Sequence, residues 1–390
     1  MNLQIKLLAG TVGSGILFLS CGTHKEKVHE MPPVKPNIVF ILGDDLGYGD
    51  LGFLGQKRFS TPNIDRLAAR GLVFTNHYSG SSVCAPSRCA LMTGYHTGHG
   101  YIRGNREHLP EGQEPIPASS VTLPKLLKSV GYVTGAFGKW GLGSPGSEGD
   151  PLNQGFDEFY GYNCQRLGHN YYPYSLWHNR EKVLLAGNSG HKKQDYAPEL
   201  IHKQAIRFLE QHKGQPFFMY YPTIIPHAEL AAPERIMQKY RDKLLPETSF
   251  KGVDDGPYYK TGGYASQPEC HAAFAAMISL LDEQVGEIMD KLEELGIDRQ
   301  TLIIFTSDNG PHREGGADPD YFDSNGRFKG YKRDLYEGGI HVPYIACWPG
   351  RITPGTTGHI SAFWDFLPTC CDLAGIPIPG EVDGISFLPV

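Results

Sequence analysis

The stretch Asn37-Ile38-Val39-Phe40-Ile41-Leu42-Gly43-Asp44-Asp45 decides how the rest of the chain is read. Five consecutive apolar positions, Ile38–Leu42, make a short buried strand, and after Gly43 come two adjacent carboxylates. Similar apolar runs recur at Tyr132–Phe137, Pro216–Tyr221, Thr301–Thr306 and Val342–Cys347. Helical patterns lie between them. Thr61–Arg70 has Thr61 as N-cap, Pro62 in the first turn and Gly71 just past the end. Val121–Ser129 and Pro198–His212 are helical, and His271–Leu295 carries Met277, Leu280, Leu281, Val285, Ile288, Met289 and Leu292 at helical spacing before Gly296. Strands alternating with helices predict an α/β fold around a mostly parallel sheet.

Polar residues collect at the ends of these strands. Asp44 and Asp45 follow the first, Lys139 the second, His227 the third, and Asp308 with Asn309 the fourth. Open parallel sheets bind ligands at the carboxyl ends of their strands. Asp308-Asn309-Gly310 alone reads as an ordinary turn; four strands delivering polar groups to one edge read as one site. Asp44, Asp45, Asp308 and the amide oxygen of Asn309 form an all-oxygen set. Such a set suits a hard cation, Ca²⁺ or Mg²⁺, rather than zinc, and an irregular cage carried on loops suits calcium better than magnesium.

The chain has 390 residues and a formal net charge of −6, which argues against nucleic acid as the main partner. The length exceeds the roughly 250–300 residues at which single cores stop growing, so one large domain with a subdomain is expected. Met1–Cys21 reads as an export signal: Lys6 is its only charge, Leu7–Leu19 is apolar or small, and the run is shorter than the about 20 residues of a membrane span. Ser20-Cys21 resembles a bacterial lipoprotein box, which would make Cys21 a lipidation site; the alternative is an ordinary cleaved signal. Residues 22–35 read as a tether and 36–390 as the folded domain. The other seven cysteines are dispersed, without a Cys-x-x-Cys pair, and read mostly as small buried hydrophobes.

Cys84-Ala85-Pro86-Ser87-Arg88-Cys89-Ala90-Leu91-Met92-Thr93-Gly94 is the most specific element. Pro86 starts a helix and puts Cys84 near its positive end, with Arg88 one turn on and on the same face. The residues alone leave two readings: a reactive cysteine at an anion site, or a buried structural one. The pattern C-x-P-S-R followed by L-x-T-G resembles the signature of the formylglycine-dependent (type I) sulfatases. Asp44-Asp45, Gly138-Lys139-Trp140, Pro226-His227, Ser307-Asp308-Asn309-Gly310 and Gly330-Tyr331-Lys332 with Tyr336-Glu337-Gly338-Gly339 follow that family's motifs in order, from about Pro36 to the end.

The resemblance implies an alkaline-phosphatase-like fold and hydrolysis of sulfate monoesters. It implies that Cys84 is oxidised by a maturase to formylglycine, whose hydrate is the nucleophile. One calcium would be held by Asp44, Asp45, Asp308 and Asn309, with residue 84 contributing a hydroxyl. Arg88 would steady the hydrate, Lys139 and Lys332 would grip the sulfate, and His227 or Lys332 would protonate the leaving oxygen. Lys329 competes with Lys332 for that last role, and the spacing to Tyr336-Glu337-Gly338-Gly339 favours Lys332. The substrate implied is a sulfated galactose or N-acetylgalactosamine of a glycan, and the location an exported, lipid-anchored position in a Gram-negative bacterium.

Two features depart from the family pattern. Most relatives have His where this chain has Gly141, in Gly138-Lys139-Trp140-Gly141-Leu142-Gly143; His169 is the candidate to replace it, or else a substrate-pocket residue. The chain also ends at Val390, where relatives continue into an antiparallel subdomain, so a truncated subdomain is expected. Alternative functions are a broad arylsulfatase, a non-catalytic sulfoglycan binder, and a phosphatase or phosphodiesterase of the same superfamily, which needs a second metal and its His.

Overall fold

Strand β1 (Asn37–Gly43) runs through the middle of a ten-stranded sheet. The computed structural model describes residues 35–390, so the export signal, Cys21 and nearly all of the 22–35 tether lie outside the described residues. The other strands are β2 (Leu72–Tyr78), β3 (Val133–Lys139), β4 (Glu158–Tyr162), β5 (Ser175–His178), β6 (Glu181–Leu184), β7 (Phe217–Pro222), β8 (Thr301–Ser307), β9 (Tyr344–Cys347) and β10 (Gly355–Ala362). Their order is β10-β2-β9-β8-β1-β7-β3-β4-β5-β6. The central block β8-β1-β7-β3-β4 is parallel, with Ile38 beside both Phe218 and Leu302. β9 runs antiparallel to β8 and β2, and β4-β5-β6 form an antiparallel edge. The Val342–Cys347 run is therefore a strand, shortened by two residues and reversed.

The strict apolar content of the central strands follows from burial on both faces. In β1, Val39 and Ile41 point into one core while Ile38, Phe40 and Leu42 point into the other. β8 divides in the same way, with Ile303 and Phe305 opposite Leu302 and Ile304. Helices α1 (Pro62–Arg70), α4 (Ala197–His212) and the long α6 (Cys270–Glu294), beside a short α5 (Glu234–Met237), cover the first face. Helices α2 (Cys84–Thr93), α3 (Leu123–Ser129) and α9 (Phe366–Ala374) cover the second. Two single turns, α7 (Pro319–Phe322) and α8 (Glu337–Ile340), lie in the connections.

The start of α1 is served from another helix. Thr61 occupies the N-cap position of α1, but its hydroxyl donates to Asp65 and accepts from Gly52 N–H. The free amides of Asn63 and Ile64 are instead taken by Asp282 Oδ1 of α6, at 2.9 and 2.8 Å. A carboxylate from a neighbouring helix thus serves the positive end of α1 and fixes the two helices together.

Candidate active site

The sheet brings the polar strand ends together as its topology requires. Asp44 and Asp45 leave β1, Lys139 ends β3, Asp308 and Asn309 leave β8, and His227 follows β7 by a short loop. Helix α2 begins at Cys84, so its thiol stands at the helix N-terminus, 3.4 Å from Asp44 Oδ1 and 3.8 Å from Asp45 Oδ1. Arg88, one turn further, is fully buried. Its Nε and Nη2 donate to Asp308 Oδ2 at 3.1 and 2.8 Å, and its Nη1 donates to the Lys139 carbonyl. Arg88 therefore anchors the carboxylates from beneath.

Lys139 is fully buried too, and its ammonium pairs with Asp44. Lys332, from the loop before α8, donates to Asp45 Oδ2 at 2.8 Å, to His227 Nε2 at 3.0 Å and to Glu314 Oε2 at 3.2 Å. Lys329 instead lies over the Tyr336 ring, at 4.2 Å, so the structure brings Lys332 and not Lys329 to the site. His227 Nδ1 donates to the Ala228 carbonyl at 2.5 Å, which leaves Nε2 as the acceptor facing Lys332. Burial and the Lys332 charge push His227 well below its ordinary pKa. Burial also opposes a charge on Lys332, but Asp45 and Glu314 outweigh it and raise its pKa. Both directions favour the proton on Lys332 over His227, and the 3.0 Å contact lets the two share it.

The donor set fits a cation. Asn309 Nδ2 is held by Asp45 Oδ1 at 2.7 Å and by the Gly310 carbonyl, while its Oδ1 is buried without any hydrogen-bond partner. An orphaned amide oxygen beside Asp44, Asp45 and Asp308 is what an all-oxygen cation cage offers. Asp308 is raised by burial and by the neighbouring Asp44 charge.

The same carboxylates bear on the reactive-cysteine reading. Burial, and then Asp308, push the Cys84 thiol well above its ordinary pKa. That direction disfavours the thiolate a cysteine nucleophile requires. The other described cysteines are all free and buried, as small hydrophobes.

Above the carboxylates opens a cavity of about 260 Å³, lined by Cys84, Gln165, His169, His227, Tyr264 and Lys332 among others. A larger cleft of about 740 Å³ between α4 and α6 is lined by Glu199, His202, Lys203, Glu210 and Glu287 among others, away from the strand-end residues. His169 stacks on His227 with ring centroids 4.8 Å apart and planes 7° from parallel, and its Nδ1 faces the Gly262 carbonyl at 3.1 Å. It is not the group beside Gly141. That glycine has φ +77°, and a Cβ placed on it would lie 1.9 Å from Gln165 Nε2.

Sequence reasoning missed Gln165, Glu314 and Tyr264. Glu314 lies six residues beyond Asp308 in a polar run, and that proximity was the one signal available for it. His312 tests the second-metal alternative. Its Nδ1 accepts from Glu314 N–H at 3.1 Å and its Nε2 faces the Pro226 carbonyl at 3.1 Å, although Asp45, His312 and Glu314 lie close enough together to hold an ion.

The chain resembles known proteins along most of its length. The family model described as Sulfatase matches residues 36–376. N-acetylgalactosamine-6-sulfatase of Rattus norvegicus is 33% identical over 387 residues, covering 92% of this chain and 66% of the relative. Arylsulfatase A of Bos taurus is 34% identical over 385 residues, covering 91% of this chain and 67% of the relative. The chain thus spans about two thirds of the length of these curated relatives. The crystal structure of Ps i-CgsB in complex with k-i-k-neocarrahexaose superposes with a TM-score of 0.73 at 30% identity, covering 91% of this chain and 76% of that one.

Proposed function

The chain belongs to the sulfatase family, within the alkaline-phosphatase-like superfamily, and from that membership we propose that it hydrolyses sulfate monoesters of galactose or N-acetylgalactosamine in glycans, with formylglycine at position 84 as nucleophile. The observation that carries the reading is the placing of residue 84. It stands on a helix N-terminus, within hydrogen-bonding reach of Asp44 and Asp45, in a cavity that Lys332 and His227 close from the other side. A pure binder has no use for a residue so placed, and a two-metal phosphatase of this superfamily would need a histidine where Asn309 stands.

Calcium held by Asp44, Asp45, Asp308 and Asn309 Oδ1 would neutralise charge on the sulfate oxygens and acidify a neighbouring hydroxyl. The chain's own residues supply the rest. Arg88 fixes Asp308 and Asp44, Lys139 offsets the charge of Asp44, and Lys332 holds the proton that the leaving sugar oxygen needs, with His227 as its partner. With a formylglycine hydrate at position 84, one hydroxyl would pass its proton to a base of the site as it takes the sulfuryl group, and loss of the second hydroxyl's proton would then expel sulfate and restore the aldehyde.

The substrate class rests on the relatives. One is named for N-acetylgalactosamine-6-sulfate and one structure holds a neocarrahexaose. A cavity of about 260 Å³ lies below the roughly 300–1,000 Å³ usual for ligand sites and suits one terminal sulfated sugar, which supports exo action. A broad arylsulfatase is the second reading, favoured by the arylsulfatase A relative. Export, with a lipid anchor at Cys21, and dependence on a maturase complete the proposal.

The test joins two measurements. Protein made with a maturase is digested, the peptide spanning Cys84 is weighed, and sulfate release from sulfated galactose, N-acetylgalactosamine and an aryl sulfate is followed. Formylglycine mass with turnover, both lost in Cys84→Ala, is expected. Turnover by protein whose residue 84 is wholly cysteine would sink the mechanism.

A further inference from the structure

Gln165 follows β4 by three residues and is buried, at 7% exposure. Its backbone N–H is held by Gln113 Oε1 at 3.1 Å, but its side-chain Oε1 and Nε2 both lack a hydrogen-bond partner. The side chain lines the same cavity as Cys84, His227 and Lys332. It lies directly against Gly141, where a Cβ would meet Nε2 at 1.9 Å and Cδ at 2.9 Å, and where φ of +77° already disfavours any side chain. The two positions form one device: the glycine clears the space and the amide fills it.

A buried amide with both ends unpaired destabilises a folded chain unless something else satisfies it. One end donates and the other accepts, so the missing partner carries both an acceptor and a hydroxyl. A sulfate ester of a sugar has both, and so does the site around residue 84. We propose that Gln165, admitted by Gly141, is a substrate-binding residue whose Nε2 donates to an oxygen of the sulfate ester and whose Oε1 accepts from a hydroxyl arriving with it. This rests on the sulfate-ester reading above. It places an uncharged amide, which cannot act as a base, at the position a motif histidine would fill.

The decisive variant is Gln165→Met, which keeps the length and removes both polar ends. A ligand-binding amide is a burden to the empty fold, so Tm should hold or rise while kcat/KM for the sulfated sugar falls about 10²-fold. The kcat/KM against pH curve should keep its shape, because no titrating group has been lost. Inorganic sulfate, titrated calorimetrically into both proteins, should bind at least about tenfold more weakly to the variant. Unchanged kcat/KM with unchanged sulfate affinity would overturn the proposal, as would a fall in Tm that accounts for the lost activity. If the unaltered protein hydrolyses no sulfate ester, the functional reading fails, and the sulfate affinities alone then decide the role of Gln165. Gly141→Ala is the second probe: its Cβ displaces the amide, and activity should fall without any polar group being removed.

Discussion

Lys332 Nζ lies 2.8 Å from Asp45 Oδ2 and so ties the loop before α8 to the first strand end, 287 residues earlier in the chain. The same ammonium reaches His227 and Glu314. One lysine therefore meets a proposed metal-binding carboxylate, a proposed proton-transfer partner and a second carboxylate that keeps it charged.

Removing that ammonium should cost turnover more than binding. Lys332→Ala leaves Asp45 and Glu314 without their cation and the leaving oxygen without its proton source. A kcat decrease of about 10²–10⁴-fold is expected for sugar sulfates. The decrease should be smaller for an aryl sulfate whose phenoxide leaves without protonation. Equal losses on both substrates would assign Lys332 to sulfate binding alone.

The acidic cluster makes stability depend on a cation. Three buried carboxylates and the orphaned Asn309 Oδ1 gain a partner when an ion binds. Calcium at 100 times its Kd should add about 2.7 kcal/mol to the unfolding free energy. A chelator should lower Tm, calcium should restore it, and elemental analysis should find one calcium per chain. Asp45→Ala should abolish the calcium effect. Stoichiometric zinc would instead favour the two-metal alternative.

Much of this was legible in the sequence, and for a physical reason. Strands buried on both faces must be continuously apolar, so the first polar residues after β1, β3 and β8 stand out as site candidates. Asp44, Asp45, Lys139, Asp308 and Asn309 were visible on that ground, and Cys84 and Arg88 by their motif. Gln165, Glu314 and Tyr264 were not, because they sit in loops whose positions are set by packing rather than by a local period. The same limit hid the capping of α1, since no local pattern joins Asn63 to Asp282. Gly141 was visible as a departure, but what fills its space depends on a contact between two loops.

Asp50 should give the fold a measurable pH slope. Its Oδ2 accepts from Gly47 N–H at 2.8 Å, while Oδ1 is buried without a partner. Burial raises its pKa from 3.8 to about 7. In the unfolded chain Asp50 ionises above pH about 4; in the folded chain it keeps its proton until about 7. Its favourable contribution is therefore complete below the unfolded pKa and is lost as pH rises through the folded one. Unfolding free energy should fall by about 1.4 kcal/mol per pH unit, on the order of 3 kcal/mol from pH 5 to 7. Asp50→Asn, measured by urea denaturation, should flatten that interval. An unchanged slope would show that Asp50 ionises normally.

His169 separates sugar recognition from chemistry. Burial lowers its pKa to about 4, so it is neutral at working pH. With Nδ1–H given to the Gly262 carbonyl, Nε2 is left as an acceptor. Its ring lies flat on His227 rather than beside Gly141. A neutral acceptor in the cavity wall suits a sugar hydroxyl, so His169→Ala should raise KM for a sulfated sugar about tenfold, the value of one hydrogen bond. An aryl sulfate lacks that hydroxyl, and its kcat should change by less than about threefold. A general base would show the reverse, losing about 10²–10⁴-fold in kcat on either substrate. A kcat loss of that size on the aryl ester would return His169 to proton transfer, while the expected KM effect confined to the sugar leaves that task to the Lys332–His227 pair.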